Sequence, residues 1–485
     1  MDKNVVPGAA LEVERVDALT EAFGQDRANR VARNAVTSAD VHKAARNPVT
    51  MRAYRDTFGV SLKAAKTVTN QRRSGRCWLF STLNVLRARA MRTLDVDDFE
   101  FSQAYGMFYD KLEKANSYLS YVVETADRPW DDRAVQFLMD YTAAADGGEW
   151  QFGANLVDKW GAVPKDAMPE TACTKNSTQM DATLDRLLHK DAVELRRLVA
   201  AREDATGIAA AREAMLADVH RVLATCLGEP PLTFDFELEV GANAQVDANK
   251  LEAALPAREG DDKKPRRILR ERGITPREFV ERYTGFDGND YVELSSVPGV
   301  GLAFGHAYGV RWFDSVLGGR PLRFLNMEPE VLENAAVASL KAGVPLYMAC
   351  DVAQEFGRTL DDFPGVLALD TMDRESLFGV ELGMTRREMC EARETRLTHA
   401  MTFQGVELGQ DGRPGAWRVE NSWGKEACKD GYLVMSAEWF RLYGGDVVVE
   451  RRFVPAEVLE LWDSAPLEMT EPWGGLAYAM GVGAK

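Results

Sequence analysis

The chain has 485 residues, enough for two or three domains of ordinary size, and its 46% hydrophobic and 28% charged composition matches a soluble globular protein with a large core. Acidic residues outnumber basic ones by 75 to 59, so the formal net charge at pH 7 is -16. Because a phosphate backbone or an anionic membrane would on average be repelled, we expect no nucleic-acid partner and no membrane partner.

Targeting and redox features of the sequence favour the cytoplasm. The stretch "MDKNVVPGAALEVERVDALTEAFG" has acidic residues where a signal peptide needs a basic start and an apolar core, and no apolar run reaches 18 residues. The cysteines are dispersed, without a CxxC pair or a dense framework: Cys77, Cys173, Cys226, Cys350, Cys390 and Cys428. We therefore expect a cytoplasmic protein in which most cysteines are reduced and buried.

The first half of the chain is predicted to be mainly helical. Residues 77–93, "CWLFSTLNVLRARAMRT", repeat apolar side chains at helical spacing, which predicts a helix starting at or next to Cys77. The stretch "FEFSQAYGMFYDKLEKANSYL" predicts a second helix capped by Ser102, and "ADGGEW" at 145–150 predicts a turn. Apolar residues every three to four positions over 179–227 predict a pair of amphipathic helices.

The second half has the pattern of strands. Residues 256–267, "PAREGDDKKPRR", mix both signs of charge with Pro and Gly and predict a solvated loop, the alternative being a basic docking patch. Later runs separated by Gly, Pro, Asp and Asn predict antiparallel strands: "PLYMACDV", "AMTFQGVEL", "AWRVENSW" and "GYLVMS". Because helices precede strands, the predicted fold class is α+β.

Cys77 is a candidate nucleophile. A thiol attacks a carbonyl as its thiolate, and the positive end of a helix stabilises that anion. Such a setting brings the pKa of a cysteine to roughly 3.5 to 7.5, and we expect the same of Cys77 at the start of its predicted helix. Taken alone, Cys77 also fits a structural role, since a free cysteine packs as a small hydrophobe.

His399 is the best candidate for the base that the thiol needs. Three of the five histidines lie in helix-like, charge-rich segments and are expected to be exposed: His42, His189 and His220. His306 and His399 both sit beside apolar residues, but only His399 is followed closely by an asparagine in a strand-and-turn setting, "WRVENSWG". That asparagine is Asn421.

Three further residues complete a candidate site. The amide of Asn421 can accept the imidazole N–H and orient the ring, although a turn residue is the plainer interpretation. Trp423 can cover that hydrogen bond and keep water from it. Gln71 lies shortly before Cys77, and its NH₂ group can join the Cys77 backbone N–H in binding the oxyanion of a tetrahedral intermediate.

These residues lie in motifs that resemble the papain-like cysteine peptidases, in particular the branch of bleomycin hydrolase and aminopeptidase C. The general resemblance rests on "NQRRSGRCWLF", "LTHAM" and "VENSWG". The narrower one rests on "FEFSQAYGMFYDKLEKAN", "DGGEW" with "GAVPKDAMPE", and "LFGVELGMTRREM" before the histidine. The resemblance spans residues from about 50 to 475 and implies a two-lobed fold, a helical lobe plus an antiparallel β lobe, with a large helical insertion and a C-terminal arm.

The resemblance also implies a division of the chain into five parts. We expect an N-terminal extension (1–68), a helical lobe with the nucleophile (69–174), an inserted helical region (175–295), a β-rich lobe with the histidine and the asparagine (296–465) and a C-terminal arm (466–485).

Residue roles follow from the resemblance at matching positions. It implies that Cys77 is the nucleophile, His399 the general base and acid, Asn421 the orienting residue and Gln71 the oxyanion donor, with Trp78 and Trp423 in support. Substrate-binding roles fall to the backbone of Gly147 and Gly148 and to the terminal carboxylate, with Lys485 or a residue just before it supplying that group. Arg396 and Leu397, before "THAM", depart from the expected pattern and can alter a nearby subsite.

The implied activity is that of a cysteine aminopeptidase that removes N-terminal residues from peptides without any metal or cofactor. A cysteine endopeptidase or a broader thiol amidase with the same triad is the alternative among enzymes, and a catalytically silent binding protein is the alternative outside them. The resembled branch forms hexamers whose active sites face an inner cavity, so we expect a homohexamer.

Overall fold

The structure is a computed structural model, and it describes residues 10–140, 144–255, 266–356 and 365–482. The helices in these residues are α1 (Val13–Gln25), α2 (Arg27–Ala39), α3 (Val41–Ala45), α4 (Pro48–Ala53), α5 (Cys77–Leu94), α6 (Gln103–Glu124), α7 (Arg133–Asp140), α8 (Trp150–Trp160), α9 (Ala172–Lys175), α10 (Thr178–Ala200), α11 (Ala205–Leu227), α12 (Pro276–Thr284), α13 (Pro329–Lys341), α14 (Arg374–Phe378), α15 (Arg386–Ala392), α16 (Ala437–Tyr443), α17 (Ala456–Ser464) and α18 (Gly475–Ala479).

The strands alternate with these helices mainly in the second half of the chain. They are β1 (Val60–Ser61), β2 (Phe234–Val240), β3 (Leu251–Leu255), β4 (Arg266–Ile274), β5 (Tyr291–Ser295), β6 (His306–Val310), β7 (Phe324–Asn326), β8 (Leu346–Cys350), β9 (Val366–Leu367), β10 (His399–Leu408), β11 (Pro414–Glu420), β12 (Tyr432–Ser436), β13 (Gly444–Glu450) and β14 (Leu467–Thr470).

A large mixed sheet forms the β lobe. Its strand order in the described residues is β14-β6-β7-β5-β13-β8-β10-β11-β12-β9, and β1 also pairs with β10. The strands predicted from "PLYMACDV", "AMTFQGVEL", "AWRVENSW" and "GYLVMS" are β8, β10, β11 and β12, and their pairings with one another are antiparallel. The prediction of antiparallel strands is therefore confirmed for this part of the chain.

Helix α5 joins the two lobes. It begins at Cys77, as the sequence predicts, and nearly all of it is buried because it packs on α6, α8 and α12 on one side and on β10 on the other. The Ser81 hydroxyl donates to the Met401 carbonyl at 2.6 Å. An ion pair between Arg87 and Glu420, both buried, also connects α5 to the sheet. The cysteine at the start of α5 is thus fixed relative to the β lobe.

The other helices of the first half also agree with the sequence. Helix α6 is capped by Ser102, whose hydroxyl accepts the Tyr105 N–H at 3.1 Å. Helices α10 and α11 are the predicted amphipathic pair. Each buries one apolar stripe in the core of the helical lobe and exposes its other side.

The insertion is only partly helical. After α11, strands β2, β4 and β3 form a separate antiparallel sheet that the sequence analysis did not predict. The alternating burial of β2 is a strand pattern, and its inner side packs through Phe234 and Phe236 against Phe279 of α12. The predicted loop at 256–267 lies outside the described residues except for its last two, which belong to β4.

The cysteines and histidines differ in places from expectation. None of the six cysteines forms a disulfide, but only Cys350 and Cys390 are buried and the other four are half-buried, so the prediction that most are buried was wrong. His189 is half-buried on α10 instead of exposed. Within the described ranges, no helix has the length and apolarity needed to cross a bilayer.

The C-terminal segment lies beside the loop that precedes β10. Strand β14 pairs in parallel with β6, and the chain then enters α18. The Leu397 N–H donates to the Ala479 carbonyl at 2.8 Å, and the Tyr478 hydroxyl donates to the Arg393 carbonyl at 2.7 Å. These bonds hold the end of the chain next to His399.

Candidate active site

A cavity of about 370 Å³ lies between the two lobes and contains the predicted nucleophile and base. Its lining includes Cys77 at the start of α5 and His399 at the start of β10. Sequence-distant residues meet here because α5 packs directly against β10. The cavity also contains Gln71, Gly147 and Gly148, which the sequence analysis assigned to the same site.

The Cys77 sulfur lies among backbone N–H groups. Hydrogen bonds from the backbone of Ala400, Trp78 and Cys77 itself favour the thiolate. Burial has the larger effect, and it raises the pKa of the Cys77 thiol from its ordinary 9.0 to about 11. The thiol taken alone therefore does not reach the predicted range of roughly 3.5 to 7.5, because removal of the thiolate from water outweighs the nearby N–H groups that lower its pKa.

His399 and Asn421 form the predicted hydrogen bond. His399 Nε2 lies 2.8 Å from Asn421 Oδ1, which also accepts the Ser422 N–H at 2.7 Å. Because an amide oxygen has no hydrogen, Nε2 is the donor and carries the imidazole proton. His399 Nδ1 is thereby left as the nitrogen that can accept a proton from a thiol. Both side chains are buried, at 6% and 1% exposure.

Trp423 covers this pair, as the sequence predicts. Its ring stacks on the His399 imidazole with a centroid distance of 4.8 Å and an interplanar angle of 25°. Phe356 stacks on the other part of the tryptophan, at 5.9 Å. The stack shields the His399–Asn421 hydrogen bond from water and restricts rotation of the imidazole.

Gln71 is fixed in position by three hydrogen bonds. Its Oε1 accepts the Ser422 hydroxyl at 2.6 Å, its Nε2 donates to the Ser74 carbonyl at 2.7 Å, and its backbone N–H donates to the Ser422 carbonyl at 2.8 Å. An amide nitrogen has two hydrogens, so one remains for a ligand in the cavity that Gln71 lines. Ser422 thus positions both the amide and Asn421, a role that its place in "NSWG" signals but that we did not assign.

Trp78 supports the glycine pair. Its indole N–H donates to the Asp146 carbonyl at 2.6 Å. A Cβ added at Gly148 would come within 2.6 Å of the Trp78 ring, whereas one added at Gly147 would meet no atom within 4 Å. Glycine is therefore required at 148 by close packing, and Gly147 faces open space in the cavity.

The end of the chain contributes to the cavity wall. Met480 and Gly481 line it, and Val482 is buried. A Cβ at Gly481, whose φ is +79°, would come within 2.2 Å of the Leu397 carbonyl. Lys485 lies outside the described residues. Arg396 and Leu397 also line the cavity, in agreement with the expectation that they affect a subsite.

The sequence analysis missed several residues of the cavity. Glu149, Tyr347 and Ala349 line it without having been assigned a role. Tyr347 and Ala349 lie on β8, which pairs with β10, so the predicted adjacency of strands could have pointed to them. Within the described ranges, no group of three or more His, Cys, Asp or Glu side chains is arranged to hold a metal ion.

Comparisons with known proteins show the family of the chain. Residues 10–250 and 259–477 match the profile of the Peptidase C1-like family. Aminopeptidase W from Lactobacillus delbrueckii subsp. lactis is 35% identical, with 96% of this chain and 99% of that protein covered. Bleomycin hydrolase from Homo sapiens is 34% identical, with coverage of 97% and 99%. The crystal structure of PepW from Lactobacillus rhamnosis superposes with a TM-score of 0.88 at 34% identity, covering 98% of this chain and 99% of that one.

Proposed function

Because the chain belongs to the Peptidase C1-like family, we propose that it is a cysteine aminopeptidase of papain-like fold that releases N-terminal residues from peptides through Cys77. The observation that carries this proposal is that one cavity contains the Cys77 thiol, the His399 imidazole and the C-terminal residues Met480 and Gly481. The first two provide acyl transfer, and the third restricts how much substrate fits ahead of the scissile bond.

The reaction begins with proton transfer from Cys77 to His399. The thiolate attacks the carbonyl carbon of the scissile peptide bond, and its electron pair forms the C–S bond while the carbonyl oxygen becomes an oxyanion. The free N–H of Gln71 and the Cys77 backbone N–H stabilise that oxyanion. His399 then gives its proton to the leaving amine, the C–N bond breaks, and an acyl-enzyme remains.

Water completes the cycle. His399 takes a proton from a water molecule, which attacks the thioester carbonyl, and collapse of the second tetrahedral intermediate returns the thiolate and releases the acyl group as a carboxylic acid. Asn421 orients the imidazole throughout, and its hydrogen bond to Nε2 supports this role. The steps use only side chains, backbone and water, so the mechanism needs no metal or cofactor.

Ion-pair formation explains how a buried thiol becomes reactive. Ionisation of Cys77 alone is opposed by burial. Transfer of the proton to His399 leaves a thiolate beside an imidazolium, so the pair stays neutral overall, and the attraction between opposite charges is strong in a site with little water. The backbone N–H groups around the sulfur add to the stability of the thiolate.

The C-terminal arm is proposed to set exopeptidase specificity. Met480 and Gly481 occupy part of the cavity, and the Leu397–Ala479 hydrogen bond holds them there. Substrate residues preceding the scissile bond would meet this obstacle, while a free ammonium can pair with the terminal carboxylate of Lys485 or of a residue just before it. The backbone of Gly147 and Gly148 is proposed to bind the extended substrate.

Truncation of the chain after Trp473 tests the arm. We expect the truncated protein to gain cleavage of N-acetylated peptides and to lose much of its preference for free N-termini, because the obstacle in the cavity is gone. The measurement compares kcat/KM on acetylated and free forms of one peptide, with product masses to locate the cleaved bond.

A shorter truncation after Val482 is the matched control. It keeps the residues that line the cavity, so acetylated peptides should still be excluded, and only the position of the terminal carboxylate changes. Activity of both truncations should disappear when Cys77 is replaced by alanine. An unchanged preference for free amines in the longer truncation would assign specificity to the cleft walls instead of the arm.

We also propose that the protein assembles into a hexamer. Helix α1 has no buried residue, and its apolar side chains Val16, Leu19 and Phe23, at helical spacing on one side, are 39%, 61% and 43% exposed. An exposed apolar face of this kind is typical of a protein contact surface. The number of subunits comes from the family resemblance and not from this surface.

Light scattering tests the assembly. The expected mass is near six times 53.8 kDa, and replacing Leu19 and Phe23 by aspartate should lower it because charged groups would be buried in the contact. Glu21→Gln, on the other side of α1, serves as the control and should leave the mass unchanged. A fully active monomer would refute the hexamer.

Two further predictions remain part of the proposal. A cytoplasmic location is supported by the absence of disulfides among the six cysteines. The division into a helical lobe, an insertion, a β-rich lobe and terminal extensions is supported by the positions of α5 and of the large sheet.

A further inference from the structure

Three buried carboxyl groups lie under the cavity, and the proposed mechanism uses none of them. Glu149 follows the glycine pair and lines the cavity, Glu293 lies on β5, and Asp446 lies on β13. Their exposed fractions are 7%, 1% and 0%. We call Glu149, Glu293 and Asp446 the acidic floor.

Strand register places Asp446 on the face of the sheet that forms the cavity. Asp446 pairs with Ala349 of β8, and Ala349 pairs with Ala400 of β10. Directly opposed residues of antiparallel strands share a face, and both alanines line the cavity. Asp446 therefore continues, behind the cavity wall, a row whose other two side chains are the single methyl groups of Ala349 and Ala400.

Strand pairing also places Glu293 on the same face of the sheet as Asp446. Glu293 and Tyr347 both pair with Val448 of β13, two residues from Asp446, so they share its face. Tyr347 lines the cavity and is within electrostatic range of all three carboxyl groups and of the Cys77 thiol. The acidic floor therefore lies close to the reacting atoms.

The two deeper carboxyl groups have no partners. All four carboxyl oxygens of Glu293 and Asp446 are buried without a hydrogen bond to any described residue. A buried carboxyl group is normally paired or hydrogen-bonded, because its removal from water is unfavourable. The described residues therefore leave Glu293 and Asp446 without a partner, next to the residues that line the cavity.

No side chain in the described residues supplies a free cation to the acidic floor. Lys114 is the cation whose charge reaches Glu149. Its ammonium already donates to the Asp110 carboxylate at 2.8 Å, the Ala145 carbonyl at 2.9 Å and the Gly147 carbonyl at 2.6 Å. An ammonium has three hydrogens, so Lys114 has none left for the floor.

A bound cation would change the ionisation of the acidic floor. Burial raises the pKa of all three carboxyl groups well above their ordinary values, and the charge of Asp446 adds to this effect at Glu149 and Glu293. A positive group in the cavity would favour the ionised form of these carboxyl groups. The attraction between that cation and the carboxylates is strong where water is scarce. The described carboxyl groups are not arranged as metal ligands, which favours an organic cation.

We propose that the acidic floor is a subsite for a positively charged group of the substrate, an alkylammonium or a guanidinium on the acyl side of the scissile bond. This inference rests on the proposed function, since it assigns specificity within the same cleft. Two parts of a peptide carry this chemistry, namely the free N-terminal ammonium and a lysine or arginine side chain.

Substrates that differ only in charge test the subsite. Arginyl and citrullyl fluorogenic amides have nearly the same shape, as do leucyl amide and its analogue that lacks the amino group. For each pair, the kcat/KM of the charged substrate is divided by that of the uncharged one. This ratio is measured for the intact protein and for Asp446→Asn and Glu149→Gln, which remove the carboxylate charge and keep the shape of the side chain. We expect at least one ratio to exceed about tenfold in the intact protein and to fall several-fold in both variants.

The outcome identifies the source of the cation. A fall in the arginine-to-citrulline ratio assigns the floor to a basic side chain, and a fall in the amine-to-deaminated ratio assigns it to the N-terminal ammonium. Glu333→Gln, which removes a buried carboxylate paired with Arg441 away from the cavity, should change neither ratio. If neither ratio changes in Asp446→Asn and Glu149→Gln, the subsite does not exist.

A binding measurement separates this inference from the proposed function. Agmatine, which carries a guanidinium and an ammonium on a four-carbon chain, should raise the Tm of the intact protein and should raise it less in Asp446→Asn, whereas butanol, which has the same four-carbon chain without a charge, should have no effect. If wild-type protein hydrolysed none of the amides, the proposed function would fail, and the agmatine shift would still decide the subsite. Equal shifts in both proteins would overturn it.

Discussion

Replacing Cys77 by alanine is expected to abolish peptide hydrolysis while the protein stays folded. Without the sulfur no acyl-enzyme can form, and loss of a nucleophile lowers kcat by roughly 10⁶-fold. Cys77→Ser should be equally inactive, because a serine hydroxyl is far less acidic than a thiol and would not give up its proton to His399. As a residue Cys77 is half-buried although its sulfur is enclosed, and alanine lacks only that sulfur, so the free energy of unfolding should change by about 1 kcal/mol or less.

A second half-buried cysteine provides the control. Cys226→Ala, on α11, makes the same chemical change outside the cavity and should retain activity. Iodoacetamide should label Cys77 much faster than the other five cysteines, as peptide mass mapping can measure. Full activity of Cys77→Ala at normal thermal stability would remove this residue from the mechanism.

Replacing His399 by alanine should both abolish turnover and change the ionisation of Cys77. With the imidazole present, the thiol gives its proton to Nδ1 and the pair stays neutral overall. Without it the thiol must ionise alone, against the burial that raises its pKa. Burial favours the neutral form of an acid, so the pH needed for alkylation shifts upward.

The rate of iodoacetamide labelling as a function of pH measures this shift. In the intact protein Cys77 should be alkylated at lower pH than in His399→Ala, in which no imidazole accepts the thiol proton. His306→Ala is the matched control, because His306 is exposed and pairs with Glu468 at 2.6 Å, away from the cavity. The same alkylation profile in the intact protein and His399→Ala would contradict the ion-pair mechanism.

Apolar periodicity and helix capping predicted much of the fold, because both depend on residues that are close in sequence. The start of α5, the Ser102 cap of α6 and the antiparallel strands of the β lobe each follow from periodicity or capping. The sheet of β2, β3 and β4 was missed although β2 alternates, because β4 is rich in charges, including Arg270 and Arg272, that pair across the sheet surface. Pairings of that kind depend on strands far apart in sequence.

The sequence predicted the site residues that lie in diagnostic motifs. It missed the residues that only the pairing register of the strands brings to the site. The Cys, His, Asn and Gln residues lie in short motifs, and the structure brings them to one cavity. The acidic floor became visible only when register placed Asp446 beside Ala349 and Glu293 across from Val448. The pKa of Cys77 was predicted wrongly because a sequence shows the start of a helix but not the depth of burial around a sulfur.

The most direct test of a cysteine aminopeptidase uses one peptide in two forms, with a free and with an acetylated N-terminus. Incubation with the full-length protein is followed by mass spectrometry of the products. The free peptide should lose residues one at a time from its N-terminus, and the acetylated peptide should stay intact if the arm, whose Met480 and Gly481 line the cavity, excludes blocked N-termini as proposed. Equal cleavage of both forms, or cleavage at internal bonds, would contradict the proposal.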